Sequence, residues 1–277
     1  MEVRYAPNDE SYQRMTTVEL RKAFLIDDLF LPDAVKLIYS DVDRVIVGSV
    51  VPTSRPLKIV ASKKEMAAEY FLQRREVGII NIGGAGTIKT DAGECRMEFK
   101  DLLYIGKENK EIECRSDDSG KPAMFYLASF PSHAAFPVSH LRFADGMKAS
   151  LGTSQQANAR TITKYVHKEG IKSSQLVMGL TELNEGSIWN TMPAHTHQRR
   201  MEVYLYFGLD QDSFVVHCMG KPAETRSLIV RNRQAVISPP WSIHCGAGTK
   251  NYSFIWAMGG ENQEFADMDA VSMDELM

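Results

Sequence analysis

Trp189-Asn-Thr-Met-Pro-Ala-His195-Thr-His197-Gln-Arg-Arg-Met-Glu202-Val-Tyr-Leu-Tyr-Phe-Gly208 is the stretch on which the reading of this chain turns. Side chains two apart on a β-strand point to the same face, so His195 and His197 address one volume. Glu202 can reach that volume from the next strand if the residues between them turn. Its neighbours Met201, Val203, Leu205 and Phe207 are apolar, and a carboxylate on a buried strand needs a partner. Downstream, Pro239-Pro-Trp-Ser-Ile-His244 supplies a third imidazole. Together His195, His197, Glu202 and His244 form a nitrogen and carboxylate donor set suited to Zn, Mn, Fe or Ni. Cys245 adjoins His244, but at period two it faces away from the histidine side, so sulfur is left out of the set.

Composition narrows the class. The chain has 277 residues, 44% apolar and 24% charged, as expected of one large or two ordinary globular domains. A net charge of −3 argues against nucleic acid or an anionic membrane as partner. No apolar run approaches the ~18 residues of a membrane span, and the first residues lack a signal-peptide core. Cys95, Cys114, Cys218 and Cys245 form no Cys-x-x-Cys pair and read as reduced thiols of a cytoplasmic protein.

Outward from the central stretch the pattern is mostly strands. Thr161–Val166, Gln175–Leu183, Ser187–Met192, Glu202–Leu209, Phe214–Met219, Leu228–Arg231, Gln234–Ser238 and Tyr252–Met258 are short, apolar segments separated by turn residues, which argues for an antiparallel jelly roll. The acidic tail from Glu261 has no decisive pattern. In the first half, Ala34–Tyr39 and Arg44–Val51 read as strands. Thr16-Thr-Val-Glu19 has the form of a capping box for one short arm helix, and Ser62-Lys-Lys-Glu65 for a brief helical turn. Gly83-Gly-Ala-Gly86 reads as a hairpin turn rather than a phosphate loop, because Lys89 occupies the place of the third glycine. Residues 131–158 are polar and turn-rich, as a connection would be, and His133 and His140 within them read as solvated.

The two halves repeat. Gln73-Arg-Arg-Glu76-Val answers Gln198-Arg-Arg-Met-Glu202-Val, and apolar strands ending at Gly83 and Gly208 follow. In this alignment Tyr70 and Leu72 stand where His195 and His197 do, so the first copy keeps the glutamate and lacks the histidines. The expectation is an all-β chain of two tandem jelly-roll barrels with a few short helices. Residues 1–150 would form a barrel with the helical arm and no metal site, and residues 151–277 the barrel with the site.

The His-x-His, the following Glu and the His after a proline-containing turn resemble the cupin superfamily, which makes the expected architecture a bicupin. Trp241 stands where a glycine is common, and Gly208 lies one residue nearer the Glu than usual. A closer resemblance covers nearly the whole chain. Phe71–Glu76, Asn81–Gly86, Arg160–Tyr165, Gly179–Leu183, Trp189–Pro193, Arg199–Tyr204, Ala235–Pro239, Trp241–His244 and Gly260–Gln263 are similar to the 5-keto-4-deoxyuronate isomerases (4-deoxy-L-threo-5-hexosulose-uronate ketol-isomerases) of pectin breakdown. That resemblance implies a cytoplasmic, hexameric enzyme with one Zn²⁺ per subunit on His195, His197, Glu202 and His244. It would convert 5-dehydro-4-deoxy-D-glucuronate to 3-deoxy-D-glycero-2,5-hexodiulosonate.

The residues suit such chemistry. Moving a carbonyl from C1 to C2 requires removal of a proton beside a carbonyl, which a divalent metal with an open position assists. Glu202 is the candidate base. Tyr204 and Tyr206 share its strand face as substrate contacts. The substrate carboxylate calls for a cation. Arg160 and Lys164 lead for that role, because Arg199-Arg200 recurs as Arg74-Arg75 in the half without histidines. Trp189, Trp241 and Trp256 read as core or rim residues. Two other uses of the same donors stay open: an Fe or Mn oxygenase, and a sugar-acid binder without catalysis.

Overall fold

Runs of β-branched and aromatic residues set the strands, and the ladders sort them into two pairs of sheets and one two-stranded ribbon. A computed structural model describes residues 1–277. Its contacts divide into two units, one made of Met1–Arg4, Leu29–Gly146 and Tyr165–Val177, the other of Tyr5–Asp28, Met147–Lys164 and Met178–Met277. The division is interleaved, unlike the single boundary near residue 150 expected from the sequence. The arm explains much of the difference. Leu25–Ile26 pairs with Ala235–Ser238, and Tyr12 stacks on Trp241 with ring centroids 4.8 Å apart. The Tyr12 hydroxyl donates to the Glu224 carbonyl and accepts from the Lys221 amide, both at 2.8 Å. The arm helix is Thr17–Phe24, with the Thr16–Glu19 capping box in place. No helix is long and apolar enough to cross a membrane.

In the first unit, a seven-stranded sheet runs in the order Glu2–Arg4, Ala34–Ser40, Ile46–Val51, Phe125–Pro131, Arg75–Asn81, Leu102–Ile105, Ser139–Leu141. Its companion is Leu57–Lys58, Ile112–Ser116, Gly86–Thr90, Gly93–Met97. In the second unit the seven strands are Met147–Leu151, Arg160–Val166, Val177–Leu183, Ser253–Gly260, Arg200–Phe207, Ala235–Ser238, Leu25–Ile26. The four are Trp189–Asn190, Ile243–Gly248, Val215–Lys221, Glu224–Val230. Each sheet thus has a counterpart of the same size, and the strands Arg75–Asn81 and Arg200–Phe207 hold equivalent places. This is the bicupin architecture expected from the sequence.

Three local expectations change. Gly83–Gly86 is no hairpin: the strands it joins, Arg75–Asn81 and Gly86–Thr90, lie in different sheets. Glycine is needed at Gly84 because a Cβ there would lie 1.9 Å from the Lys121 carbonyl oxygen. Residues 131–158 are not merely a connection, since Ser139–Leu141 pairs with Leu102–Ile105 and Met147–Leu151 with Arg160–Val166. His133 and His140 are exposed.

The third concerns the repeated glutamate. Val77 and Ile79 join Phe71, Leu72, Leu103 and Ile105 in the core of the first unit. Glu76 therefore faces the other side of its strand. There its carboxylate accepts the amides of Ser174, Gln175 and Leu176 at 2.7, 2.8 and 2.9 Å and the Tyr104 hydroxyl at 2.8 Å. Aligning the Gln-Arg-Arg triplets puts Val77, not Glu76, opposite Glu202. The single residue Met201 makes that slip, and a slip of one turns a strand residue to the opposite face.

Candidate metal centre

Three strands and the turn between two of them carry the four donors. His195 lies on His195–Thr196, which pairs with Asp269–Ala270 of the C-terminal tail. His197 follows in the turn before Arg200–Phe207, and Glu202 lies inside that strand, opposite Met258 and Ser238. His244 lies on Ile243–Gly248. The candidate ligand atoms lie within 4.8 Å of one another. His195 Nε2 is 3.1 Å from His197 Nε2 and 3.0 Å from His244 Nε2. Glu202 Oε2 is 3.1 Å from His197 Nε2 and 2.9 Å from His244 Nε2. Cys245 is outside the cluster and packs with Ala194, Ile243 and Val271.

The donor set fits a cation. His197 Nδ1 donates to the Asp267 carbonyl at 2.7 Å, which leaves Nε2 as a bare lone pair. His244 Nδ1 is 3.3 Å from the Ser242 carbonyl, so its proton has the same use. Lone pairs of both rings then face each other's neighbours and a carboxylate at about 3 Å, an arrangement that a shared positive charge relieves. Burial, then the imidazoles of His244 and His197, push His195 down to about 2. Burial would raise Glu202, but the His244 and His197 imidazoles outweigh it and hold the carboxyl below its usual range. A neutral His195 and an ionised Glu202 are the forms that bind metal.

A cavity of about 360 Å³ opens on the cluster. His195, His197, Glu202, Tyr204 and Arg160 are on its wall, with Trp256 and Phe265 among the aromatic lining. Arg160 is the cation of that wall, and its guanidinium also donates to the Asn158 carbonyl at 2.8 Å. Lys164 is placed otherwise: its ammonium sits 3.8 Å over the Phe265 ring, and it does not line the cavity. Tyr206 is also off the wall, its hydroxyl 2.7 Å from His217 Nδ1. Tyr204 is held neutral by burial and by the Glu202 charge, both of which raise its pKa. Trp256 owes its place to Gly179, where a Cβ would lie 2.3 Å from the indole.

Arg199 and Arg200 serve the tail. Arg199 pairs with Asp267 and Asp269, and Arg200 donates to the carbonyls of Glu264, Phe265 and Asp267. The tail thereby delivers Phe265, Met268 and Ala270 to the cavity and the Asp267 carbonyl to His197. Nothing in the acidic, aperiodic sequence after Glu261 marks these roles. His217 was missed too: Val215-Val-His-Cys-Met219 shows no polar–apolar alternation in its residue types, yet the strand alternates in burial and His217 is fully buried beside Tyr206.

Burial, then the His244 imidazole, pushes His217 down to about 3. An unfolded chain binds its proton near pH 6.5. Below that pH the unfolded state holds a proton that the folded state lacks, so stability present at neutral pH is lost as pH falls toward 3. Urea titrations of chelated protein at pH 7.5, 6.0 and 5.0 should show a loss of up to about 1.4 kcal/mol per pH unit in excess of that in His217→Gln. Parallel pH slopes for the two proteins would refute this assignment.

Two β-barrels, one holding three histidines and a glutamate beside a cavity, define a bicupin with a candidate metal centre. A family model described as KduI/IolB matches residues 39–273, and the chain belongs to that family. It is 50% identical over 276 residues to the 4-deoxy-L-threo-5-hexosulose-uronate ketol-isomerase of Caldicellulosiruptor bescii, covering 100% of both chains. It is 51% identical over 276 residues to the ketol-isomerase of the same name from Lachnoclostridium phytofermentans, again covering 100% of both. Among solved structures, an IolB-like protein of Salmonella typhimurium matches with TM-score 0.71 at 13% identity, covering 90% of this chain and 96% of that one. Oxalate decarboxylase of Lactobacillus farciminis matches at 0.54 and 9% identity, with 90% of each covered. At these identities the two structures speak for the fold alone.

Proposed function

We propose that this chain is a metal-dependent ketol-isomerase that converts 5-dehydro-4-deoxy-D-glucuronate to 3-deoxy-D-glycero-2,5-hexodiulosonate. The observation that carries the reading is a His₃Glu cluster beside a cavity lined by His195, His197, Glu202 and the Arg160 guanidinium, in a chain about half identical to ketol-isomerases along its full length. His195, His197, Glu202 and His244 hold the metal. Zinc fits their nitrogen and carboxylate donors and the family likeness. When bound, the ion supplies an electrophile that lowers the cost of charge on the substrate oxygens. Glu202 takes the C2 proton and returns it to C1. Tyr204, neutral, presents a hydroxyl to the substrate. The apolar and aromatic walls exclude water from the reacting carbons.

Arg160 binds the substrate carboxylate. Arg160→Met should raise KM roughly ten- to a hundredfold with a smaller change in kcat, the loss of a charge-assisted contact of about 1.5–3 kcal/mol. An unchanged KM in steady-state kinetics would move the carboxylate elsewhere. The first barrel is structural and metal-free in this reading; Leu72 and Val77, opposite His197 and Glu202 in the repeat, lie in its apolar core. The enzyme works in the cytoplasm as a hexamer. The deciding experiment is an NMR time course of the ketouronate with chelated and zinc-reloaded protein. Conversion that stops on chelation and returns with zinc supports the isomerase. No conversion by folded, fully metallated protein overturns it.

A further inference from the structure

Trp189–Pro193 contains a backbone outlier on the cavity wall. Thr191 has φ +48°. A β-branched residue avoids this left-handed region because its Cβ substituents crowd the backbone. The surroundings enforce it. Trp189 and Asn190 are pinned opposite Ala247 and Gly246 of the strand that carries His244. The Asn190 amide donates to the Tyr252 hydroxyl at 2.7 Å, and the Asn158 amide to the Met192 carbonyl at 3.3 Å. Backbone strain kept in place by its neighbours is a mark of a working position.

What this conformation delivers is a hydroxyl. Thr191 Oγ1 lies 2.9 Å from the Tyr204 hydroxyl oxygen, and both residues line the cavity with Glu202. The Tyr204 ring is itself fixed, 4.6 Å from Phe254 and edge-on to His244 at 5.3 Å. Two hydroxyls bonded to each other share one proton and keep one free donor and free lone pairs. Such a pair can accept a proton at one end while giving one at the other, and neither oxygen ionises.

An aldose–ketose conversion needs that transfer. One proton moves from C2 to C1, and a second must leave the C2 hydroxyl and reach O1. We propose that Thr191 and Tyr204 form a two-hydroxyl relay for the second proton. Tyr204 gives its proton to O1. Thr191 gives its proton to Tyr204 and takes the proton of the C2 hydroxyl. Three O–H bonds break and three form, no charge is left on either side chain, and no electrons leave the substrate. This rests on the isomerase reading, and the test separates the two.

The test compares zinc-loaded wild type, Thr191→Val and Thr191→Ser on the ketouronate. Valine keeps the branch and the volume and lacks the hydroxyl. Its kcat should fall about a hundredfold or more with KM within about threefold, and serine should recover most of the loss. The proton inventory of kcat in mixed light and heavy water should be curved for the wild type and closer to linear for Thr191→Val. Thermal unfolding of both variants near the wild-type midpoint would show that the fold is intact. A valine variant as fast as an active wild type overturns the relay alone. A serine variant as slow as valine does so too, since the backbone or the methyl group would then be what matters. An inactive metallated wild type overturns the isomerase reading, and the relay falls with it.

Discussion

Glu202→Gln is expected to lower kcat for the ketouronate by about a thousandfold or more, the range lost when a positioned proton-transfer group is removed. The same change weakens the metal site. Glu202 Oε2 is within 3.1 Å of both His197 Nε2 and His244 Nε2, and an amide puts a neutral group where the site has its negative charge. Two losses are therefore combined, and they separate experimentally. Metal content by mass spectrometry after dialysis reports the ligand role. Activity with the metal restored in excess reports the proton role, because a fully metallated but inactive variant has lost the base. Wild-type protein treated with chelator should lose activity as completely and regain it with zinc. A metallated Glu202→Gln that keeps a tenth or more of wild-type kcat would take the base role away from Glu202.

Glu76→Ala is expected to lose about 3–5 kcal/mol of stability, although this residue is no part of the proposed site. Its carboxylate is fully buried and accepts four hydrogen bonds, three of them from consecutive backbone amides. Alanine leaves those amides and the Tyr104 hydroxyl without their acceptor, and Leu176 and Tyr104 are fully buried. Burial, then the Glu76 charge, raises Tyr104, so that hydroxyl stays a donor. Glutamine should also destabilise, since its NH₂ group faces an amide where an oxygen is required. Urea unfolding followed by far-UV circular dichroism is the measurement; all three tryptophans lie in the other unit and would under-report the change. A loss below 1 kcal/mol would mean that residues 173–177 rearrange at little cost.

These two glutamates show what was readable in the chain. His-x-His, Glu and the later His could be assembled from strand periodicity and donor chemistry, because ligand chemistry restricts residue type and spacing together. The paired sheets could be anticipated from turn spacing and the repeat. The repeat misled at one point: Glu76 and Glu202 follow the same triplet, but Met201 shifts one of them by a residue and sends the two carboxylates to opposite faces. A string of letters shows similarity of neighbours, whereas facing is a property of the ladder.

The same distinction covers the rest of the site. The arm residue Tyr12 stacks on Trp241, more than two hundred positions away, because its hydroxyl and ring find partners there and not nearby. The aperiodic tail orients His197 through a backbone carbonyl, a group that every residue has and that no letter marks. Arg160 and Lys164 are equal candidates in sequence; one guanidinium reaches the cavity, while the ammonium rests on Phe265. Sequence by itself determined the strand-rich double barrel, the metal-ligand candidates and the family likeness, since these depend on local periodicity and on side-chain chemistry. Tertiary structure alone decided which face Glu76 takes, which cation lines the cavity, which backbone carbonyl holds His197 and which threonine hydroxyl bonds Tyr204, since these depend on contacts between residues apart in the chain.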